Sequence, residues 1–180
     1  MKPDIVVFVK SLTNGLNPLS GLWAREELIS PQVFPPGSTH STFSSNPLGT
    51  AAGLATMEYL RKNDMETTVS GKSAYLLSRL SGLKKKYPVI GDVDGLGLAI
   101  RIEMTKPDRF TPDRQLTDRI FQEGMKGDIK MGRKKYGLVL DVGGYYKNVF
   151  TLAPALTIAR KEMDLFVELF LALLRRCGCR

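Results

Sequence analysis

The feature that most constrains the fold of this chain is an unbroken apolar run from Ile5 to Val9. Successive side chains of a strand point to opposite faces, so a run without alternation predicts a strand that is buried on both faces. Such strands are typical of parallel sheets in α/β proteins and do not lie at an edge facing water. The rest of the sequence supplies few neighbours for it, although an α/β sheet needs several strands with helices on both faces. We therefore expect an α/β fold whose other strands belong to a preceding polypeptide.

Turn-forming and helix-starting residues organise the first part of the chain. The segment from Ser30 to Asn46 contains three prolines and many Ser and Thr residues, which predicts a long loop. Asn46 and Pro47 then predict a helix start, because asparagine caps free N–H groups and proline is favoured at the first helical position. The other elements predicted here are a strand at 4–9, a strand at 19–24 and a helical turn at 25–29.

Beyond residue 62 the pattern predicts a compact α+β lobe. Leu98, Ile100 and Ile102 alternate with Ala99, Arg101 and Glu103, which indicates a half-buried strand. The other predicted elements are a helix at 69–86, a helix capped by Thr111-Pro112 with Leu116, Ile120 and Phe121 inward, strands at 138–141 and 149–152, and a last helix at 159–176.

Charge and composition exclude several classes of function. The net charge is +8, but the basic residues are dispersed and lack the interleaved aromatic residues that single-strand binding needs, so we predict no nucleic-acid partner. No apolar run approaches the roughly 20 residues of a membrane span, and the first residues lack a signal-peptide pattern, which favours a cytoplasmic protein without a membrane partner. Cys177 and Cys179 are too few ligands for a metal site, and we predict none.

Lys10 directly follows the apolar run. α/β folds bind ligands beyond the carboxyl ends of their strands, and a partly buried lysine there can act as a nucleophile that forms Schiff bases. Lysines at strand ends are also commonly solvated surface residues, so position alone leaves both interpretations open.

Short motifs around and beyond Lys10 occur in the order in which one family has them. They are PDIV at 3–6, KSL at 10–12, PLSG at 18–21, HSTF at 40–43, NP at 46–47, GDVDGLGL at 91–98 and NVFTLAPALT at 148–157. Together they resemble the class III, pyridoxal-phosphate-dependent aminotransferases of fold type I, and they extend over nearly the whole chain. The resemblance implies the last strands of the family's large domain followed by an α+β C-terminal small domain.

The resemblance assigns regions and roles. Residues 1–62 would be the C-terminal edge of the large cofactor-binding domain with the interdomain helix, and residues 63–180 would be the small domain. Lys10 would hold pyridoxal 5'-phosphate as a Schiff base and shuttle a proton during amino-group transfer between an amine or amino acid and a 2-oxo acid. Thr42, with Ser41 as a weaker candidate, would bind the cofactor phosphate across a dimer interface. Asn46 is interpreted as a helix cap, and His40 as a loop residue near the cofactor or the interface.

The chain departs from the family at two points that bear on activity. The family's aspartate on the pyridine nitrogen, its phosphate cup and its stacked aromatic ring all lie upstream of the lysine, so the resemblance covers the C-terminal portion only. Thr151 stands where the family usually has an arginine that binds the substrate carboxylate through two parallel hydrogen bonds, a geometry that a hydroxyl cannot supply.

These departures determine which partners we expect for the chain and which alternative functions stay open. We expect a chain that is inactive without the N-terminal part and that forms a homodimer or a complex with an N-terminal aminotransferase fragment. A non-catalytic remnant or interaction module, and a family racemase or epimerase that uses the same lysine, are the alternative functions.

Overall fold

The computed structural model describes residues 2–38 and 40–180. The chain divides into two compact units, residues up to Met65 and residues from Glu66 to Arg180, and each is described by itself.

The first unit contains a small sheet and one long helix. Its strands are β1 (Ile5–Phe8) and β2 (Gly21–Ala24), and a 3-10 helix (Lys10–Thr13) lies between them in the chain. A short helix α1 (Glu26–Ile29) follows β2, and helix α2 (Pro47–Lys62) follows the loop. The predicted loop and the predicted start of α2 at Pro47 are thus confirmed.

The pairing and the burial of β1 differ from the sequence-based prediction. β1 pairs antiparallel with β2, with Ile5 opposite Ala24 and Phe8 opposite Gly21, in a sheet of only two strands. Val7 is 70% exposed and Trp23 is 51% exposed. The apolar run does form a strand, but the described residues supply neither the parallel neighbours nor the helix layers that would bury both of its faces.

The second unit is built on an antiparallel sheet with the strand order β3-β4-β8-β7. Its helices pack on one face of that sheet, and a separate hairpin joins β5 to β6. The elements after α2 are α3 (Met65–Lys86), β3 (Ile90–Leu96), β4 (Ala99–Met104), α4 (Arg114–Met125), β5 (Ile129–Met131), β6 (Lys134–Tyr136), β7 (Asp141–Gly143), β8 (Val149–Leu152) and α5 (Arg160–Arg176).

Alternate residues of the two central strands, β4 and β8, point into the core of this unit. Ile100, Ile102 and Met104 of β4 are buried, and Phe150 and Leu152 of β8 lie beside them on the same face. The helices α3, α4 and α5 cover this face with residues that recur at helical spacing. These buried helical residues are Leu76, Leu80, Leu83, Leu116, Ile120, Met163, Val167, Leu169, Phe170, Leu173 and Leu174.

Two predicted details of this unit are corrected. The cap of α4 is Asp113, whose carboxylate accepts a hydrogen bond of 3.0 Å from the Leu116 N–H, and not the predicted Thr111-Pro112 pair. The strand predicted at 138–141 begins only at Asp141, and the predicted strand at 149–152 is confirmed.

Gly124 of α4 is required by close packing against the backbone of Leu138. A Cβ at this position would lie 2.2 Å from the Leu138 carbonyl oxygen. We expect Gly124→Ala to lower the free energy of unfolding by about 1–3 kcal/mol, because overpacking shifts the backbone. Gly71→Ala in α3 is the control, since nothing lies within 4 Å of its added Cβ and alanine favours a helix by roughly 0.5–1 kcal/mol. Urea unfolding of both variants measures this, and a destabilisation of equal size in both would contradict the packing assignment.

Candidate active site

Lys10 begins the 3-10 helix just beyond β1 and has a backbone conformation that is unusual for its residue type. Its φ is 58°, in the left-handed region that non-glycine residues seldom adopt. Residues held in such conformations cluster at functional sites. Lys10 is exposed, and among residues 2–38 and 40–180 no hydrogen bond or ion pair engages its amine.

The residues after Lys10 are fixed by a small polar network. Thr13 is fully buried, and its hydroxyl donates a hydrogen bond of 2.5 Å to the Asn17 carbonyl oxygen. The Asn46 side-chain amide donates to Asn17 Oδ1 at 3.1 Å, while Asn46 Oδ1 accepts from the Leu48 N–H at 3.1 Å. Asn46 is therefore a confirmed helix cap, and it also ties the segment after Lys10 to the start of α2.

Two glycines of α2 allow this segment to lie directly against the helix. A Cβ on Gly49 would lie 3.1 Å from the Pro18 carbonyl oxygen, and one on Gly53 would lie 2.9 Å from Leu19 Cδ2. Both glycines are buried. The short backbone separation and the polar network together hold the segment that carries Lys10 in one conformation.

The predicted phosphate-binding residues lie in the loop between α1 and α2. Ser41 and Thr42 are exposed in the turns before α2, as is His40. The Ser44 N–H donates to the Ser41 carbonyl oxygen at 3.1 Å. In the part of the chain that the structure describes, no hydrogen bond links Lys10 to Ser41 or Thr42.

Thr151 lies in a polar row that crosses the sheet of the second unit. It is exposed on β8, directly opposite Arg101 of β4 and Asp141 of β7. Arg101 Nη2 lies 3.0 Å from an Asp92 oxygen and 3.5 Å from an Asp94 oxygen. A hydrogen bond from Lys84, together with the nearby Arg101, holds the pKa of Asp92 below its usual range although partial burial opposes this. Arg101, beside Thr151, therefore pairs with two carboxylates, one of which, Asp92, also pairs with Lys84.

Comparison with known proteins identifies the family. Residues 1–174 match the family model of the class-III aminotransferases, and the chain belongs to this family.

Two curated relatives show the range of activities in the family. A mitochondrial alanine–glyoxylate aminotransferase 2 homologue of Arabidopsis thaliana is 32% identical over 92% of this chain and 32% of its own length. A leucine/methionine racemase of Thermococcus litoralis is 32% identical over 91% of this chain and 34% of its own length. The chain thus spans about a third of the length of these relatives.

A solved structure confirms the predicted fold class. A phospholyase from Arthrobacter, solved in complex with phosphoethanolamine, superposes with a TM-score of 0.82 at 24% identity. The match covers 96% of this chain and 39% of that protein. The arrangement of strands and helices is therefore that of the C-terminal part of a fold type I enzyme.

The described residues contain neither a membrane-spanning helix nor a metal-binding cluster. None of the helices there is long and apolar enough to cross a bilayer. Within the same residues, no group of three or more His, Cys, Asp or Glu side chains is placed to hold a metal ion.

Proposed function

We propose that this chain is the C-terminal part of a pyridoxal-phosphate-dependent aminotransferase, with Lys10 as the lysine that binds the cofactor. The reaction is the transfer of an amino group between an amine or amino acid and a 2-oxo acid. The observation that carries the proposal is the position of Lys10, which lies at the end of β1 with a left-handed backbone on a segment fastened to α2. The membership of the chain in the class-III aminotransferases supports the same role for Lys10.

The residues present fit two parts of the cofactor. The amine of Lys10 is a primary amine on an exposed residue, the kind of group that forms a Schiff base with an aldehyde. Ser41 and Thr42 are exposed, and their hydroxyls are groups that can donate to a phosphate. The net charge of +8 also favours an anionic cofactor.

Each of these residues has a distinct part in the proposed chemistry. The Lys10 amine would hold the cofactor through the aldehyde group and, when it is free, would accept and return the proton of the substrate Cα. The hydroxyl and backbone N–H of Thr42, assisted by Ser41, would hold the phosphate. When bound, pyridoxal phosphate supplies the electron sink that makes this proton transfer feasible.

The proposed function also requires other polypeptides. The resemblance places the loop that carries Thr42 at a dimer interface, and we propose a dimer in which the loop of one copy serves the lysine of the other. The chain also spans only about a third of its relatives, and the resemblance places the partner of the pyridine nitrogen upstream of the lysine. We therefore propose that activity requires an N-terminal aminotransferase polypeptide.

Reconstitution tests this function. The chain is mixed with an N-terminal aminotransferase polypeptide that ends where this chain begins, pyridoxal phosphate, an amino donor and a 2-oxo acid. We expect formation of the 2-oxo product of the donor, and none from either polypeptide alone. A folded complex that binds the cofactor but converts no donor in a broad panel would contradict the aminotransferase function.

Racemisation is the second candidate, because a leucine/methionine racemase is among the relatives at 32% identity. A racemase can use the same lysine and the same cofactor but needs no 2-oxo acid. Chiral chromatography of the reaction mixture separates the two functions. Formation of the inverted amino acid without a 2-oxo product would favour racemisation over transamination as the function.

A further inference from the structure

A cleft between α3 and the start of α5 is lined by two cations. It has a volume of about 330 Å³, which falls within the roughly 300–1,000 Å³ range of small-molecule clefts. Lys72 and Tyr75 line it from α3, while Thr157 and Arg160 line it just before and at the first residue of α5. The other lining residues carry no charge, so the charge of the lining is positive.

Both cations are held at the cleft by contacts that leave their charge in place. The Lys72 ammonium donates a hydrogen bond of 2.6 Å to the Leu156 carbonyl oxygen. An ammonium carries further donors, which stay available to a ligand. The Arg160 guanidinium carbon lies 4.1 Å from the centre of the Tyr75 ring, a cation–π contact that holds this side chain against α3.

No carboxylate neutralises these two cations. Among residues 2–38 and 40–180, neither Lys72 nor Arg160 forms an ion pair. The two acidic residues in the first turns of α5 are engaged elsewhere. Glu162 accepts a hydrogen bond of 2.7 Å from the backbone N–H of the helix cap, and Asp164 pairs with Arg79. An anion in the cleft would therefore meet positive charge without a carboxylate in the lining.

The donors of the cleft suit a phosphate monoester. A phosphate group carries a charge of about −1.5 to −2 at pH 7 and presents strong acceptor oxygens on several sides. Lys72 offers a point charge, and Arg160 offers a planar fork that can donate two parallel hydrogen bonds. Thr157 is exposed and adds a hydroxyl donor. A group with a single negative charge would use the two cations less well.

We propose that this cleft binds the phosphate group of a small phosphate monoester, with Lys72, Thr157 and Arg160 as its donors. All three residues belong to the second unit. The site is therefore independent of the role of Lys10 and of the cofactor-phosphate role proposed for Thr42, and it would bind its ligand whether or not a cofactor is present.

The test uses the complete chain without cofactor and two probes of the same tetrahedral shape, methyl phosphate and methyl sulfate, near neutral pH. Titrations followed by two-dimensional amide NMR give the affinity and the position of each probe. We expect methyl phosphate to bind several-fold more tightly than methyl sulfate, with shifts at the amides of Lys72, Thr157 and Arg160. Equal affinity for the two probes, or shifts confined to Ser41 and Thr42, would overturn the proposal.

Arg160→Gln separates the site from the general charge of the protein. It should weaken methyl phosphate about threefold to tenfold, because hydrogen bonds between charged groups are lost at a partly exposed position. Lys72→Gln should have a similar effect while keeping a donor for the Leu156 carbonyl oxygen.

Lys161→Gln is the matched control. It removes the neighbouring exposed cation of α5, which does not line the cleft, and should leave the affinity for methyl phosphate unchanged. An equal loss of affinity in Arg160→Gln and Lys161→Gln would mean that net charge attracts the phosphate, and it would overturn the proposed site.

Discussion

Lys10→Ala is expected to reduce covalent incorporation of pyridoxal phosphate to background in the complex with the N-terminal polypeptide. The reaction needs a primary amine at this position, and alanine removes it while leaving the rest of the segment in place. The Thr13–Asn17–Asn46 network and the glycines of α2 do not involve the Lys10 side chain, so the variant should fold. The readout is the amount of cofactor retained by the protein after borohydride reduction and removal of free cofactor.

Two further variants separate chemistry from charge. Lys10→Arg keeps the cation but offers no amine that forms a Schiff base, so its incorporation of the cofactor should also fall to background. Lys62→Ala removes an exposed lysine of α2 that pairs with Glu58 and should retain full incorporation. If Lys10→Ala keeps the incorporation of the unchanged protein, then another lysine binds the cofactor.

Phe170→Ala is expected to produce the largest loss of stability. Phe170 is fully buried, contacts the edge of Phe150 at a centroid distance of 5.8 Å and stacks on Phe166 at 6.0 Å. Its truncation removes apolar contacts and leaves a cavity between α5 and the sheet. Such substitutions cost about 3–5 kcal/mol, which approaches the total stability of a marginal domain.

The matched control is Phe110→Ala, which removes the same side chain from a site that is 86% exposed. We expect its free energy of unfolding to change by less than about 0.5 kcal/mol. Urea denaturation followed by far-ultraviolet circular dichroism measures both variants. A loss below about 1 kcal/mol for Phe170→Ala would contradict the assignment of α5 to the core.

Elements with a strong local signal could be predicted from the sequence. Asn46-Pro47 marks the start of α2 because the cap and the first turn are made by adjacent residues. The alternation of Ile100 and Ile102 likewise reports one buried face of β4. β3 has no comparable signal because Gly91 and Gly95 interrupt its alternation, and these glycines are needed where Thr105 and β4 approach closely.

Features that depend on distant parts of the chain could not be predicted. The antiparallel pairing of β1 with β2 depends on where the chain turns after the 3-10 helix, which the apolar run itself does not encode. The hydrogen bond between Asn17 and Asn46 joins residues that are 29 positions apart. Neither Asn17 nor Thr13 carries a local sequence signal for this contact. Lys10 was found from its motif, while its left-handed backbone required the structure.

The most direct measurement of the central claim is to locate the cofactor on the protein. The complex of this chain with the N-terminal polypeptide is loaded with pyridoxal phosphate, reduced with borohydride, digested and analysed by peptide mass spectrometry. Reduction converts the bond to lysine into a stable amine, so the labelled residue can be read directly. We predict one stoichiometric adduct, on Lys10. A stoichiometric adduct on another lysine, or labelling spread evenly over the surface lysines while Lys10 stays unmodified, would contradict the account.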